Sequence, residues 1–363
     1  MARHPALLLY QKLKDAIRSD IEAGKLGAGD RILSERLLAE KHHVSRITVK
    51  KAVADLTQEG FLEHVSGRRG TFVRRREGRA AALRFIAVAI DDVRDSFGAE
   101  MLRGIEDFLW DKRIHTLVCN ADRDVAKVEE YFGSLLAYDI AGVVFAPVID
   151  HGYAKANRKL VGLLEKARIP FTLIDRYIPG YLANYVGANH EESSRTITRH
   201  LLDRGHRRIL VARGIACTSM DERVAGYRNA HEEAGAAHDE RLVVNVDDNR
   251  LDRNPDPEEM RCLTELISRA RPFDCFYALN NRLLHAGIQS MLTLGMDVVA
   301  DVTVASHDEV SRPWLPYMEG MPHFIEPTYQ MGWEAARVLV EHITDPNRAI
   351  VQMVLKSRFV PAP

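Results

Sequence analysis

The chain has 363 residues, 46% of them hydrophobic, and a formal net charge of −1. That near-neutrality is polarised, with 17 Lys and Arg against 10 Asp and Glu through Arg79, and 33 against 41 in the remainder; the length exceeds what one core supports, and a small basic head on an acidic body suits a polyanion partner for the head alone. The four cysteines (Cys119, Cys217, Cys262, Cys275) show neither metal-ligand spacing nor a disulfide framework, and no apolar run approaches a membrane span, so a soluble cytoplasmic protein with no metal and no cofactor is expected.

Leu9, Leu13, Ile17 and Ile21 recur at helical spacing, which predicts a first amphipathic helix ending near Gly24. Gly27, Gly29 and Asp30 make a turn, after which Ser34 caps a short helix carrying Leu37, Leu38 and Ala39. Ser45 caps a third helix in which Val49, Ala52, Val53 and Leu56 face inward and Arg46, Lys50 and Lys51 face outward, with Gly60 as terminator. Phe61–Glu63 and Thr71–Val73 form two strands around a basic tip, Ser66-Gly67-Arg68-Arg69-Gly70. Two serine-capped helices followed by a basic hairpin make a winged helix-turn-helix. The opening turn of its third helix is suited to lie in a major groove, where backbone amides also favour phosphate. Any single exposed cation is ordinary; it is the convergence of Arg36, Arg46, Lys50, Lys51, Arg68 and Arg69 that points to DNA.

Arg74–Arg79 carries four arginines in six residues and breaks the apolar periodicity. The expected division is a head over 1–76, a linker over 77–82 and a body over 83–363. In the body, short apolar runs alternate with helical patterns from Phe85–Ile90 through Phe171–Ile174. A second series runs from Arg208–Ala212 through Val302–Ser306. This is the pattern of an α/β fold of two lobes, each a parallel sheet flanked by helices, with a cleft between them. Ligands in such sheets bind beyond the carboxyl ends of strands, which singles out Asp91, Asp92, Asp175, Arg176, Asn280, Asn281 and Asp308. Carboxylates accept, arginine donates and asparagine does both, an inventory suited to sugar hydroxyls, with Phe97 or Tyr277 available to cover an apolar sugar face.

Residues 7–76 resemble the DNA-binding domain of the GntR superfamily, through the Ser34-Glu35-Arg36 helix start, the Val44-Ser45-Arg46-Ile47-Thr48-Val49-Lys50 recognition segment and the wing ending Gly70-Thr71-Phe72-Val73. The resemblance implies that Arg36, Arg46, Thr48 and Lys50 contact phosphates and bases while Gly67 and Gly70 shape a wing that reaches the minor groove. Arg46 is the expected guanine contact, and Ile47 is placed to meet a thymine methyl. Residues 83–363 resemble the LacI/GalR effector-binding core, related to periplasmic sugar-binding proteins. The matching segments include Phe171–Arg176, His200–Ile209, Glu222–Tyr227, Asn280-Asn281 and Val304–Glu309. That resemblance implies an effector held by Asp91 or Asp92 with Asp175, Arg223, Asn280 and Asp308. The pairing of the two domains is similar to that of the arabinose-responsive repressors.

The expectation is a homodimeric repressor, released from double-stranded operator DNA by a small sugar. A corepressor type sensing a purine is the alternative. An enzyme on a doubly wound scaffold is disfavoured because Ile90-Asp91-Asp92-Val93 lacks the glycine-rich turn a dinucleotide needs, and no nucleophile elbow or phosphate loop is present. A periplasmic transport receptor is disfavoured by the basic head.

Overall fold

A computed structural model of the protein describes residues 5–22, 25–27, 29–58, 61–63, 70–73, 85–94, 96–135, 140–251, 254–298, 300–309 and 320–362. The chain separates into two compact units, residues 1–82 and 83–363. The expected linker 77–82, the wing residues Ser66, Gly67, Arg68 and Arg69, the cations Arg74–Arg76 and the helix stops Gly24 and Gly60 lie outside the described residues.

The head comprises α1 (Pro5–Glu22), α2 (Glu35–His42), α3 (Arg46–Gln58), β1 (Leu62–Glu63) and β2 (Phe72–Val73). Leu13, Ile17, Leu38, Val49, Ala52, Val53 and Leu56 bury their apolar faces together with Leu62 and Val73 of the hairpin. Each expected cap forms. Ser34 Oγ accepts from the Leu37 N–H at 3.4 Å and Ser45 Oγ from the Thr48 N–H at 3.2 Å, satisfying amides that have no partner inside their own helices. His43 ends α2 in the left-handed conformation, φ 52°, which gives the His42-His43 pair a structural place.

The body opens with β3 (Phe85–Ile90), α4 (Ser96–Asp111), β4 (His115–Asn120), α5 (Val125–Leu135), β5 (Ile140–Phe145), α6 (Tyr153–Lys166), β6 (Phe171–Ile174) and β7 (Tyr185–Ala188). A second run follows: α7 (His190–Asp203), β8 (Ile209–Arg213), α8 (Thr218–Glu233), β9 (Val243–Asn245), α9 (Pro257–Ala270), β10 (Cys275–Ala278), α10 (Asn281–Thr293) and β11 (Thr303–Ser306). It closes with β12 (His323–Ile325), α11 (Thr328–Thr344), β13 (Gln352–Leu355) and β14 (Arg358–Val360). The first lobe is a parallel sheet ordered β13-β7-β6-β5-β3-β4 and the second a parallel sheet ordered β11-β10-β8-β9. Helices cover both faces of the first sheet, which is why β3 and β5 are continuous apolar runs rather than alternating ones.

The apolar periodicity does not announce the carboxyl-terminal segment. α11 and β13 return to the first lobe, where β13 pairs with β7, while β14 goes back to pair with β12. The lobes are therefore joined by three crossings, at 188–190, 325–328 and 355–358. α4 and α11 approach closely enough that a Cβ on Gly104 would overlap the Tyr329 carbonyl and one on Gly332 the Met101 carbonyl; Gly226 of α8 meets the Glu191 carbonyl of α7 in the same way. Among the described residues no helix is long and apolar enough to cross a membrane.

Candidate functional site

In the head, the opening turn of α3 stands in solvent. Arg46, Ile47, Lys50 and Lys51 are exposed, Ile47 to 82%, and an isoleucine left that bare has no packing reason to be there. The Ser45 and Thr48 hydroxyls hydrogen-bond one another at 2.8 Å, so both side chains hold the helix start. The Lys51 ammonium lies 5.3 Å from the Tyr10 ring centroid, on the side of α1. Arg36 sits 3.6 Å from Glu40, an exposed pair one helical turn apart that contributes little to stability. Gly70 adopts φ 123°, and a side chain there would collide with the Arg31 guanidinium. Gly67, Arg68 and Arg69 are outside the described residues.

In the body, the strand ends converge as the topology requires. Asp91 and Asp92 after β3, Phe97 on α4, Asp175 and Arg176 after β6, Arg223 on α8, Asn280 before α10 and Asp308 after β11 line one cleft with a cavity of about 100 Å³. Tyr277 does not reach it. Its ring is fully buried in the second lobe and its hydroxyl lies 3.1 Å from Ser194 Oγ and 3.0 Å from His307 Nδ1, so a covering role for Tyr277 is corrected to a core role. Strand alternation explains the miss: Tyr277 precedes the strand end by one residue and points into the layer beneath.

Charged pairs fill much of the cleft. Arg176 Nη2 donates to Asp91 Oδ2 at 2.6 Å, Arg94 grips Asp92 with Nε–Oδ1 at 2.8 Å and Nη2–Oδ2 at 2.7 Å, and Arg282 lies 3.7 Å from Asp92. Asn280 uses both ends of its amide, capping α10 at the Leu283 N–H and donating to Asp248 Oδ2. Across the lobes Arg123 Nη1 lies 2.9 Å from Asp248 Oδ2 and 2.8 Å from Asn249 Oδ1. Asp122, Arg123 and Asp175 are all left-handed, with φ of 50°, 55° and 68°. These strained residues sit at the mouths of β4 and β6, beside the cleft.

Arg223 anchors a second cluster at the crossings, buried except for Asp308, which like Arg223 also lines the cleft. Arg223 donates to the Leu279 carbonyl, lies 3.2 Å from Asp308 Oδ1, and lies 3.0 Å from Glu326 Oε1. His190 Nδ1 is 3.3 Å and His307 Nε2 3.5 Å from the same Glu326 oxygen. Burial works against the charged form of every member, yet His190 and Arg223 hold the Glu326 carboxyl well below its usual range. Burial likewise opposes protonation of His190, but Glu326 overcomes it and the net shift is upward. His307 is pushed down to about 3 by burial and by Arg223 and is neutral at pH 7, while burial raises Asp308 and Asp175. His190, His307 and Glu326 bring three donor atoms within 4.8 Å of one another. The Arg223 guanidinium, 3.0 Å from Glu326 and 3.3 Å from His190 Nδ1, stands where a cation would bind. Sequence reasoning missed Arg123, Asp248, His190, Glu326 and Arg282; Arg123 and Asp248 both lie in Asp- and Asn-rich loops just beyond the carboxyl ends of β4 and β9, where the strand-end rule could have found them.

A basic winged helix joined in one chain to a two-lobed, strand-end cleft is the architecture of a DNA-binding transcription regulator with a ligand-binding body. Comparison with known proteins agrees. Residues 9–73 match the model of bacterial regulatory proteins of the gntR family, and residues 198–361 match the periplasmic binding protein-like domain. The chain thus joins a GntR-type DNA-binding domain to a periplasmic binding protein-like domain. It is 22% identical over 335 residues to the arabinose metabolism transcriptional repressor of Geobacillus stearothermophilus, covering 92% of this chain and 91% of that one. It is 27% identical over 267 residues to the probable HTH-type transcriptional regulator EndR of Paenibacillus polymyxa, covering 71% and 73%. Its fold matches the transcriptional regulator CelR–cellobiose complex with a TM-score of 0.64 and 24% identity, covering 87% of this chain and 89% of that one.

Proposed function

We propose that the protein is a homodimeric cytoplasmic repressor that leaves its operator when a small sugar occupies the cleft of the body. The observation that carries this reading is the convergence of strand-end carboxylates, arginines and Asn280 from both lobes on a single polar cavity. Relatives named for arabinose metabolism and a fold neighbour solved with cellobiose support a sugar as the ligand class. In this reading Arg46 contacts a guanine, Ile47 a thymine methyl, and Arg36, Ser45, Thr48, Lys50 and Lys51 the flanking backbone, with Gly67, Arg68, Arg69 and Gly70 as further DNA contacts.

A second copy is the natural cover for the open edge of the first sheet. β4 is an edge strand with Leu117 and Val118 exposed, and Trp110 at the end of α4 is 77% exposed. An uncovered apolar edge invites pairing. Two heads related by a two-fold axis would read half-sites about one helical turn apart. Because effector and operator act on one equilibrium, any sugar that weakens operator binding must itself bind less tightly to the operator complex.

The test is fluorescence anisotropy of the purified full chain on DNA from its own promoter region, with a panel of pentoses, hexoses and disaccharides. Salt-sensitive binding that one sugar releases supports the reading. Absence of salt-sensitive DNA binding rejects it, and a ligand that tightens binding replaces release with corepression.

A further inference from the structure

A second cavity of about 650 Å³ shares no lining residue with the effector cleft. Both lobes build it: Tyr177 and Tyr181 come from the loop between β6 and β7, Tyr185 from β7, Glu191 from the first turn of α7 and Glu222 from α8. The Tyr177 and Tyr185 rings meet edge-to-face with centroids 5.6 Å apart. The hydroxyls of Tyr181 and Tyr185 are engaged outside the cavity, with Glu165 Oε1 at 2.7 Å and the Asp175 carbonyl at 3.2 Å, so these side chains offer it their rings.

The charge of this cavity is one-sided. Its lining contains Glu191 and Glu222 and no lysine, arginine or histidine. Among the described residues neither carboxylate has an ion-pair partner; Glu191 Oε1 accepts from Asn229 at 2.8 Å and Glu222 has the Tyr177 hydroxyl. Half-buried and outside any ion pair, the Glu222 carboxyl is pushed upward chiefly by desolvation, against the weaker pull of His190 and Arg223. Elsewhere in the body buried carboxylates meet arginines, as Asp91, Asp248 and Glu326 do.

We propose that this cavity is a second ligand site, for a small organic cation carrying an ammonium group. An ammonium over the face of a tyrosine ring gains cation–π attraction, and beside Glu222 and Glu191 it supplies a countercharge at contact distance. The two sites are joined through shared elements. Glu222 precedes the cleft residue Arg223 on α8, and Tyr185 hydrogen-bonds the backbone of the cleft residue Asp175. A cation seated against β7 and α8 touches both lobes and so biases their arrangement, making it a second input to the same equilibrium.

The inference goes beyond the proposed regulation and its test needs no DNA. Isothermal titration calorimetry of the full chain would use choline, tetramethylammonium and putrescine, with 3,3-dimethylbutan-1-ol as the uncharged counterpart of choline. The expected result is saturable binding of at least one ammonium probe at or below about 1 mM, no binding of the alcohol, and about tenfold weaker binding in Glu222→Gln. Tyr177→Ala is the second variant, with the same loss expected, should the first fail to fold by circular dichroism. No saturable binding of any of the three ammonium probes overturns the proposal, as does equal binding of the alcohol or undiminished binding in both variants. Loss of DNA regulation with cation binding intact would sink the repressor reading and leave this site standing.

Discussion

Replacing Arg123 with methionine tests whether closure of the cleft is held by the protein's own charges. Arg123 Nη1 lies 2.9 Å from Asp248, whose side chain is 1% exposed, and the two residues belong to different lobes. Asp122 and Arg123 are both left-handed, a conformation that costs about 1–2 kcal/mol per residue and persists only when something compensates it. Without the guanidinium, Asp248 keeps the Ile215 N–H at 2.9 Å and Asn280 at 2.9 Å but loses its cation. A hydrogen bond to a charged group contributes about 1.5–3 kcal/mol, whereas stranding a buried charge in a rigid structure costs about 3–5 kcal/mol. Lobes linked covalently by three chain crossings can part, giving up the Asn249–Ile149 and Thr218–Tyr177 hydrogen bonds as well, and rehydrate Asp248, so the smaller figure limits the effect. The closed-to-open ratio should then fall roughly 10- to 150-fold. The assay is hydrogen exchange at the Ile215 amide, which reports on Asp248 directly, together with a double-mutant cycle against Asp248→Asn. Unchanged Ile215 protection, with a coupling energy below about 0.5 kcal/mol, would refute the reasoning.

Arg46→Ala should lower operator affinity by about 1–3 kcal/mol, concentrated at one base pair, and leave thermal unfolding unchanged because the side chain is exposed; anisotropy across a set of single-base operator variants checks it, and a uniform loss across all sequences contradicts base reading. His190 is raised above its unfolded value, so its protonated form adds stability that is fully present below pH 6.5 and lost as pH rises through the higher folded value; urea unfolding of the wild type against His190→Gln should show a stability difference that shrinks from pH 6 to pH 9, and a difference that grows over that range reverses the assignment. Gly226→Ala should destabilise the body by about 1–3 kcal/mol by forcing α8 away from the Glu191 carbonyl of α7, measured as a fall in the midpoint of denaturant unfolding; an unchanged midpoint would show that the helix contact yields freely.

How far the sequence carried depends on which forces are local. The serine caps at Ser34 and Ser45, the inward stripe of α3 and the strands β3, β6 and β10 follow from periodicity and short-range hydrogen bonding, and all were legible. Of the residues the strand-end rule singled out, Asp91, Asp92, Asp175, Arg176, Asn280 and Asp308 lie around one cavity, because a parallel sheet puts its carboxyl ends on one edge, while Asn281 turns its amide to the Glu309 carbonyl and does not line it. The return of α11 and β13 was not legible, since the pairing of Gln352–Leu355 with Tyr185–Ala188 is decided by three-dimensional neighbours more than 160 residues away in the chain. Arg123 and Asp248 were open to the strand-end rule, but each reads as an ordinary loop charge until the lobes face one another. Arg223 was expected to hold an effector, with an ion pair as the plainer reading, and three of its partners are the protein's own Asp308, Glu326 and Leu279 carbonyl. Truncating it to alanine therefore removes a buried structural cation as well as a ligand contact.

The charge pattern of the cleft bears on what it can admit. Arg123, Arg176, Arg223 and Arg282 face Asp91, Asp92, Asp175 and Asp308, so the lining is balanced before any ligand arrives. A charged ligand entering this balanced set would leave one of the buried groups without its partner, at a cost that desolvation makes large. A neutral polyol disturbs no such balance. Asp91 Oδ1, Arg123 Nε, Arg176 Nε and Arg223 Nε are buried without a hydrogen-bond partner, which leaves an acceptor and several donors for hydroxyl groups. Since a cavity of about 100 Å³ is below the usual range of ligand pockets, a sugar must also part the lobes or displace the Arg123 bridge to enter. In the proposed repressor, ligand entry and rupture of the interlobe ion pair are then one event, through which occupancy of the cleft would change the arrangement of the body.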